Sequence, residues 1–166
     1  MKRHIGLLAI VTVLAACSQS ENTAVQPASQ PQQGGFALQS ESTGGAAQVT
    51  LSASAAAGTI VTLIGQLNYD TSRLTMQNCE IGADIGAGTA AGKTLYFKEP
   101  TPGVIRAVVA GGLQALPPAA DVLTCTFAAA PGAPAGPVTV RAQGNVADMS
   151  LKDRPFVAEA TVDVGK

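Results

Sequence analysis

Tryptophan does not occur in this sequence, and His4 is its only histidine. His4 lies in a segment read below as removed on export. The remaining chain then has no imidazole to serve as a general base, activate a nucleophile or ligate zinc. Charge is scarce at 13% of residues, and 10 Lys and Arg stand against 11 Asp and Glu. Without a basic surplus there is nothing to neutralise a phosphate backbone, so nucleic acid is a poor partner. Acidic residues nowhere take the spacing of a calcium loop, and no metal or cofactor site is expected. Aromatics make up only 4%. Any core must therefore be filled by Val, Leu, Ile and Ala.

The start of the chain is an address. Met1-Lys2-Arg3-His4 is basic, and Ile5 to Ala15 is apolar except for Gly6 and Thr12. At ~1.5 Å per residue this run reaches about half of a ~30 Å hydrocarbon core, too short to span but suited to a signal peptide. It ends in Leu14-Ala15-Ala16-Cys17, which resembles the lipobox of bacterial lipoproteins. That resemblance implies a signal peptide over 1–16 and a diacylglycerol on Cys17. The protein would then be lipid-anchored in the bacterial cell envelope, and Ser18 after the cysteine favours the outer membrane. Several acyl chains, at about 0.8 kcal/mol per buried methylene, anchor without a transmembrane helix.

Residues 17–45 are rich in Ser, Gln, Pro and Gly. Such a segment buries too little to offset its ordering entropy, so a flexible tether is expected there. From Ala46 to the end, 46–166, short apolar runs alternate with Gly, Pro, Asn and Asp. Val49, Leu51 and Ala53 alternate with Gln48, Thr50 and Ser52, the period of a half-buried strand. Further strands are expected over 59–68, 93–98, 104–110, 122–128, 138–141 and 156–164. In the last, Phe156, Ala158, Ala160, Val162 and Val164 share one side. Lys152-Asp153-Arg154-Pro155 is read as a polar turn between strands. Seven or more strands and no amphipathic helix predict an all-β, antiparallel sandwich.

With Cys17 acylated, Cys79 and Cys125 are left in an exported chain, where a disulfide between them is expected. The chain-entropy model gives about 4 kcal/mol for a loop of that length. Two buried thiols are the alternative. Ala87-Gly88-Thr89-Ala90-Ala91-Gly92-Lys93-Thr94 meets the loosest phosphate-loop pattern. Leu95-Tyr96-Phe97 after it signals a strand where that loop needs a helix, so a Gly/Ala loop is expected instead.

Leu67-Asn68-Tyr69-Asp70-Thr71-Ser72-Arg73-Leu74 resembles the L-x-Y-D-x-x-x-L segment of cohesin domains. The order of strands and turns over 46–164 fits as well. The resemblance implies a jelly-roll sandwich of about nine strands and a non-catalytic module that docks a protein partner, dockerin-like or another envelope protein, through a sheet face. The motif residues Leu67, Tyr69, Asp70 and Leu74 are structural. Asp70 is expected to bond the amides of Ser72 or Arg73 in an Asx-turn, while Tyr69 closes the sandwich edge. None of the family's dockerin contacts aligns to a residue here. Polysaccharide is the alternative ligand, but sugar platforms use exposed aromatic faces, and this chain has only Phe36, Tyr69, Tyr96, Phe97, Phe127 and Phe156 to offer.

Overall fold

Nine strands form the protein in a computed structural model that describes residues 35–43, 45–54 and 59–164, with no helix among them. In chain order they are β1 (Phe36–Thr43), β2 (Ala46–Ala53), β3 (Ile60–Asn68), β4 (Leu74–Ile81), β5 (Thr94–Thr101), β6 (Val104–Ala110), β7 (Asp121–Ala129), β8 (Gly136–Asp148) and β9 (Asp153–Val164). They make two antiparallel sheets, β1-β2-β7-β4 and β5-β6-β3-β8-β9. This is the expected jelly-roll sandwich. The alternating side chains of β2, β7 and β9 meet between the sheets, where Val49, Leu51, Val122, Phe127, Phe156 and Val162 are almost fully buried. Cys79 and Cys125 face each other on β4 and β7 and are joined by a disulfide across 46 residues.

The sandwich begins earlier than the expected tether boundary at residue 45. Phe36–Thr43 is a strand, and the Phe36 ring, completely buried, lies 4.9 Å from that of Phe156. Only Phe36 and Leu38 mark β1 as apolar. Its polar half is held by hydroxyls instead: Ser40 Oγ donates to Thr161 O at 2.5 Å and Ser42 Oγ to Asp163 O at 3.4 Å, tying β1 to β9 of the other sheet. Strand β4 also escaped the period-two pattern, because a bulge between Met76 and Asn78 shifts its register. Leu74 and Met76 face inward before the bulge, and Cys79 and Ile81 after it. The expected turn over 152–155 is displaced. Asp153, Arg154 and Pro155 belong to β9, an edge strand that tolerates a proline, and the turn is Asp148–Lys152. Asp148 Oδ1 accepts the amides of Ser150 at 2.8 Å and Lys152 at 3.2 Å and fixes that turn.

Small residues at the centre of the larger sheet make room for its one fully buried ring. Gly65, Gly144 and Phe156 are register partners across β3, β8 and β9. A Cβ on Gly144 would stand 2.2 Å from Ile64 O, and one on Gly65 would meet the Phe156 ring at 3.1 Å.

Register also sorts the loops into two ends. Phe36 pairs with Ala53, Ser52 with Asp121, and Ile60 with Asp148, so the chain enters β1 at the end that carries loops 82–93, 111–120 and 148–153. The motif turn 69–73 and the turns at 101–104 and 130–136 lie at the opposite end.

Candidate binding face

Two cross-strand rows run over the solvent side of the five-stranded sheet. One reads Tyr96, Val108, Ile64, Asn145, Pro155, and the next Lys98, Arg106, Gln66, Gln143, Val157. Each residue points outward because its sequence neighbours, among them Leu63, Ala107, Val109 and Phe156, fill the core. Ile64 is 58% and Tyr96 66% exposed. Between them and β9 the sheet is dished over Gly65 and Gly144, leaving an open depression of about 520 Å³ edged by Ile64, Gln66, Arg106, Gln143 and Val157.

The charge on this face is uneven. Lys98 and Arg106 stand directly opposite each other on β5 and β6. Like charges in that position oppose pairing. No carboxylate pairs with either one among the described residues, and the row continues into glutamines. One row further on, Arg141 Nε lies 3.6 Å from Glu159 Oε1, and this exposed pair adds little to stability.

The opposite sheet is different. Its outward row Gln39, Thr50, Thr124, Glu80 is polar and satisfies itself. Thr50 Oγ1 and Thr124 Oγ1 are 3.0 Å apart, Ser52 Oγ donates to Asp121 Oδ1 at 2.6 Å, and Asn78 Nδ2 donates to Glu80 Oε1 at 3.0 Å. All the exposed large apolar side chains of the described residues belong to the five-stranded sheet or to loops 111–120 and 148–153.

The motif residues lie at one end of the sandwich rather than on this face. Leu67 and Leu74 are buried on β3 and β4. Asp70 Oδ1 accepts Ser72 N at 2.9 Å and Ser72 Oγ at 2.7 Å, forming the expected Asx-turn. Those bonds hold the Asp70 carboxyl below its usual range. The Tyr69 ring meets Phe127 edge-on at 5.1 Å, and its hydroxyl donates to Glu99 Oε1 at 2.5 Å. Glu99 Oε1 also accepts Gly103 N at 2.8 Å, while Gly103 O accepts Tyr69 N at 2.9 Å. Gly103 has φ +84, and a Cβ there would stand 2.7 Å from Tyr69 O, so the close approach requires glycine. Burial, then the Glu99 hydrogen bond and charge, push the Tyr69 phenol up to about 12. The motif thus fastens the crossing from one sheet to the other.

Lys93 of the phosphate-loop pattern is 1% exposed, and its Nζ donates to Gly111 O at 2.7 Å and Gly112 O at 3.0 Å. Its ammonium holds a loop and is unavailable to a phosphate; burial lowers its pKa. No group of three or more His, Cys, Asp or Glu among the described residues could hold a metal ion. Cys17 and the signal-peptide segment lie outside the described residues. Sequence reasoning did not find Ile64, Tyr96, Lys98, Val108 or Arg106 as a surface. Alternation marks which residues share a side, but only the strand order brings these side by side.

No family model matches the sequence, and no curated protein is similar to it. Solved structures do match. CaCohA2 of Clostridium acetobutylicum, in its complex with CaDoc0917, is 18% identical with a TM-score of 0.61, over 76% of this chain and 99% of that one. A non-cellulosomal cohesin from the archaeon Archaeoglobus fulgidus is 12% identical with a TM-score of 0.60, over 79% and 91%. The cohesin of the Coh-OlpA-Doc918 complex, a type I cohesin-dockerin complex of Clostridium thermocellum, is also 12% identical with a TM-score of 0.60, over 77% and 97%. The chain has the fold of the cohesin modules.

Proposed function

We propose that this protein is a non-catalytic docking module of the bacterial envelope, anchored through acylated Cys17, which holds a protein partner on the outer face of the β5-β6-β3-β8-β9 sheet. The observation that carries this reading is the outward row Tyr96, Val108, Ile64, exposed at Tyr96 and Ile64, beside the uncompensated pair Lys98 and Arg106. An apolar strip flanked by charge is a hot-spot arrangement. A standard partner buries about 800 Å² per side, within reach of a five-stranded sheet. The likeness to cohesins solved with dockerins makes a dockerin-like module the first partner to test. Lys98 and Arg106 favour one that presents carboxylates next to an apolar stripe.

Calorimetry of the protein against dockerin-bearing and other envelope proteins, and against a glycan panel, tests the reading. Protein binding that weakens with salt and is lost in Ile64→Asp is expected. Binding of glycans alone would replace docking with polysaccharide recognition. Hydrolysis that vanishes with a single carboxylate substitution would replace it with an enzyme.

A further inference from the structure

We infer that the end of the sandwich where the chain enters β1 rests on a lipid surface, through the side chains of Leu113, Met149 and Leu151. The inference takes Cys17 as the acylated residue. Whatever path residues 18–34 follow, they join the sandwich at Gly35, beside Ser54, whose amide donates to Gly35 O at 2.8 Å. That is the end that carries loops 111–120 and 148–153: Leu116 N donates to Ile60 O at 2.7 Å, and Ile60 is the register partner of Asp148.

Leu113 is 87% exposed, Met149 61% and Leu151 82%, the most apolar tips that this end presents. The turns of the opposite end, built from residues such as Asp70, Thr71, Ser72 and Pro102, expose no large apolar side chain among the described residues. Both tip loops are held from beneath. Lys93 Nζ grips the carbonyls of Gly111 and Gly112 directly before Leu113, and Asp148 Oδ1 is occupied by the amides of Ser150 and Lys152 around Leu151.

Leu151 adds a second argument. It adopts φ +60, a left-handed conformation that Gly or Asn takes more cheaply than leucine, and its side chain lies outside the hydrophobic core. A leucine there works against local backbone preference without contributing to the core. A bilayer interface is an occupant that uses three apolar tips at the end nearest the anchor. The orientation leaves the docking face perpendicular to the membrane and open to a partner.

The absence of tryptophan makes the test direct, since each introduced Trp reports its own position. Leu113→Trp, Leu151→Trp and, at the opposite end, Thr71→Trp are made in the full-length protein. Each is purified from membranes, checked by mass spectrometry for the acyl group and by melting for fold, and reconstituted into phosphatidylethanolamine–phosphatidylglycerol vesicles. The expected result is blue-shifted emission at positions 113 and 151, quenched at least twofold by brominated lipids, with position 71 unquenched. Leu113 has ordinary backbone geometry, so its variant reports even if Trp is not accommodated at 151. Acylated protein in which the tips are quenched no more than position 71 would overturn the inference alone. Protein without an acyl group would overturn the Cys17 reading and this inference with it, leaving the docking face untouched.

Discussion

Cys79 of β4 lies directly opposite Cys125 of β7, and their disulfide ties the edge strand of the four-stranded sheet to its neighbour inside the core. Strand β4 contributes few large apolar groups, and its bulge interrupts pairing, so it depends on this link more than a regular strand would. Changing either cysteine to Ala is expected to cost about 2–5 kcal/mol, as is typical for a native bridge in a small exported domain. Urea unfolding of the variants and of reduced wild type measures it.

Lys93→Met should lower stability by about 1–3 kcal/mol, because the carbonyls of Gly111 and Gly112 lose a buried charged donor. Added ATP should shift the melting temperature of neither protein. A nucleotide-dependent rise in wild type that disappears in the variant would restore the phosphate-loop reading.

Gly144→Ala should be far more damaging than its size suggests. The new Cβ would stand 2.2 Å from Ile64 O, in the pairing of two central strands, so about 3 kcal/mol or more is expected from thermal melts. Ala at Gly88, where nothing lies within 4 Å, meets only the cost of its φ of +86.

Stability should change at both extremes of pH. The Tyr69 phenol is raised from 10.0 to about 12 in the fold. Its contribution is therefore complete below pH 10 and is lost as pH climbs through 10 towards 12. Lys93, lowered by burial, acts in the opposite sense on the alkaline side, so Tyr69→Phe compared with wild type isolates the tyrosine: the variant should lose less stability between pH 10 and 12. On the acid side, hydrogen bonds in their turns hold Asp70 and Asp148 below their usual range. Their contribution is present above about pH 4 and is lost as pH falls through the lowered values. Asp70→Asn and Asp148→Asn should flatten the acid limb in denaturation at graded pH.

The sandwich was legible in the sequence because β2 and β9 alternate cleanly, and the disulfide was legible because reading Cys17 as acylated leaves Cys79 and Cys125 with each other. The sequence was less informative where a bulge breaks the alternation, as in β4, or where hydroxyl-to-backbone bonds replace apolar contacts, as in β1. The phosphate-loop pattern is followed by a strand, as Leu95-Tyr96-Phe97 signalled, although nothing in the spacing foretold that Lys93 would be buried on two glycine carbonyls. The proposed binding face could not be read from the sequence at all. Ile64, Tyr96 and Arg106 lie on three separate strands, and only the order β5-β6-β3 makes them neighbours.

The docking claim is tested most directly by using the full-length protein to capture partners from envelope extract of its own organism. Three baits are compared: wild type, Ile64→Asp on the proposed face and Gln48→Asp on the opposite sheet. A protein retained by wild type and by Gln48→Asp is expected, with retention reduced about tenfold or more by Ile64→Asp. Equal retention on all three baits, or loss with Gln48→Asp alone, would contradict it.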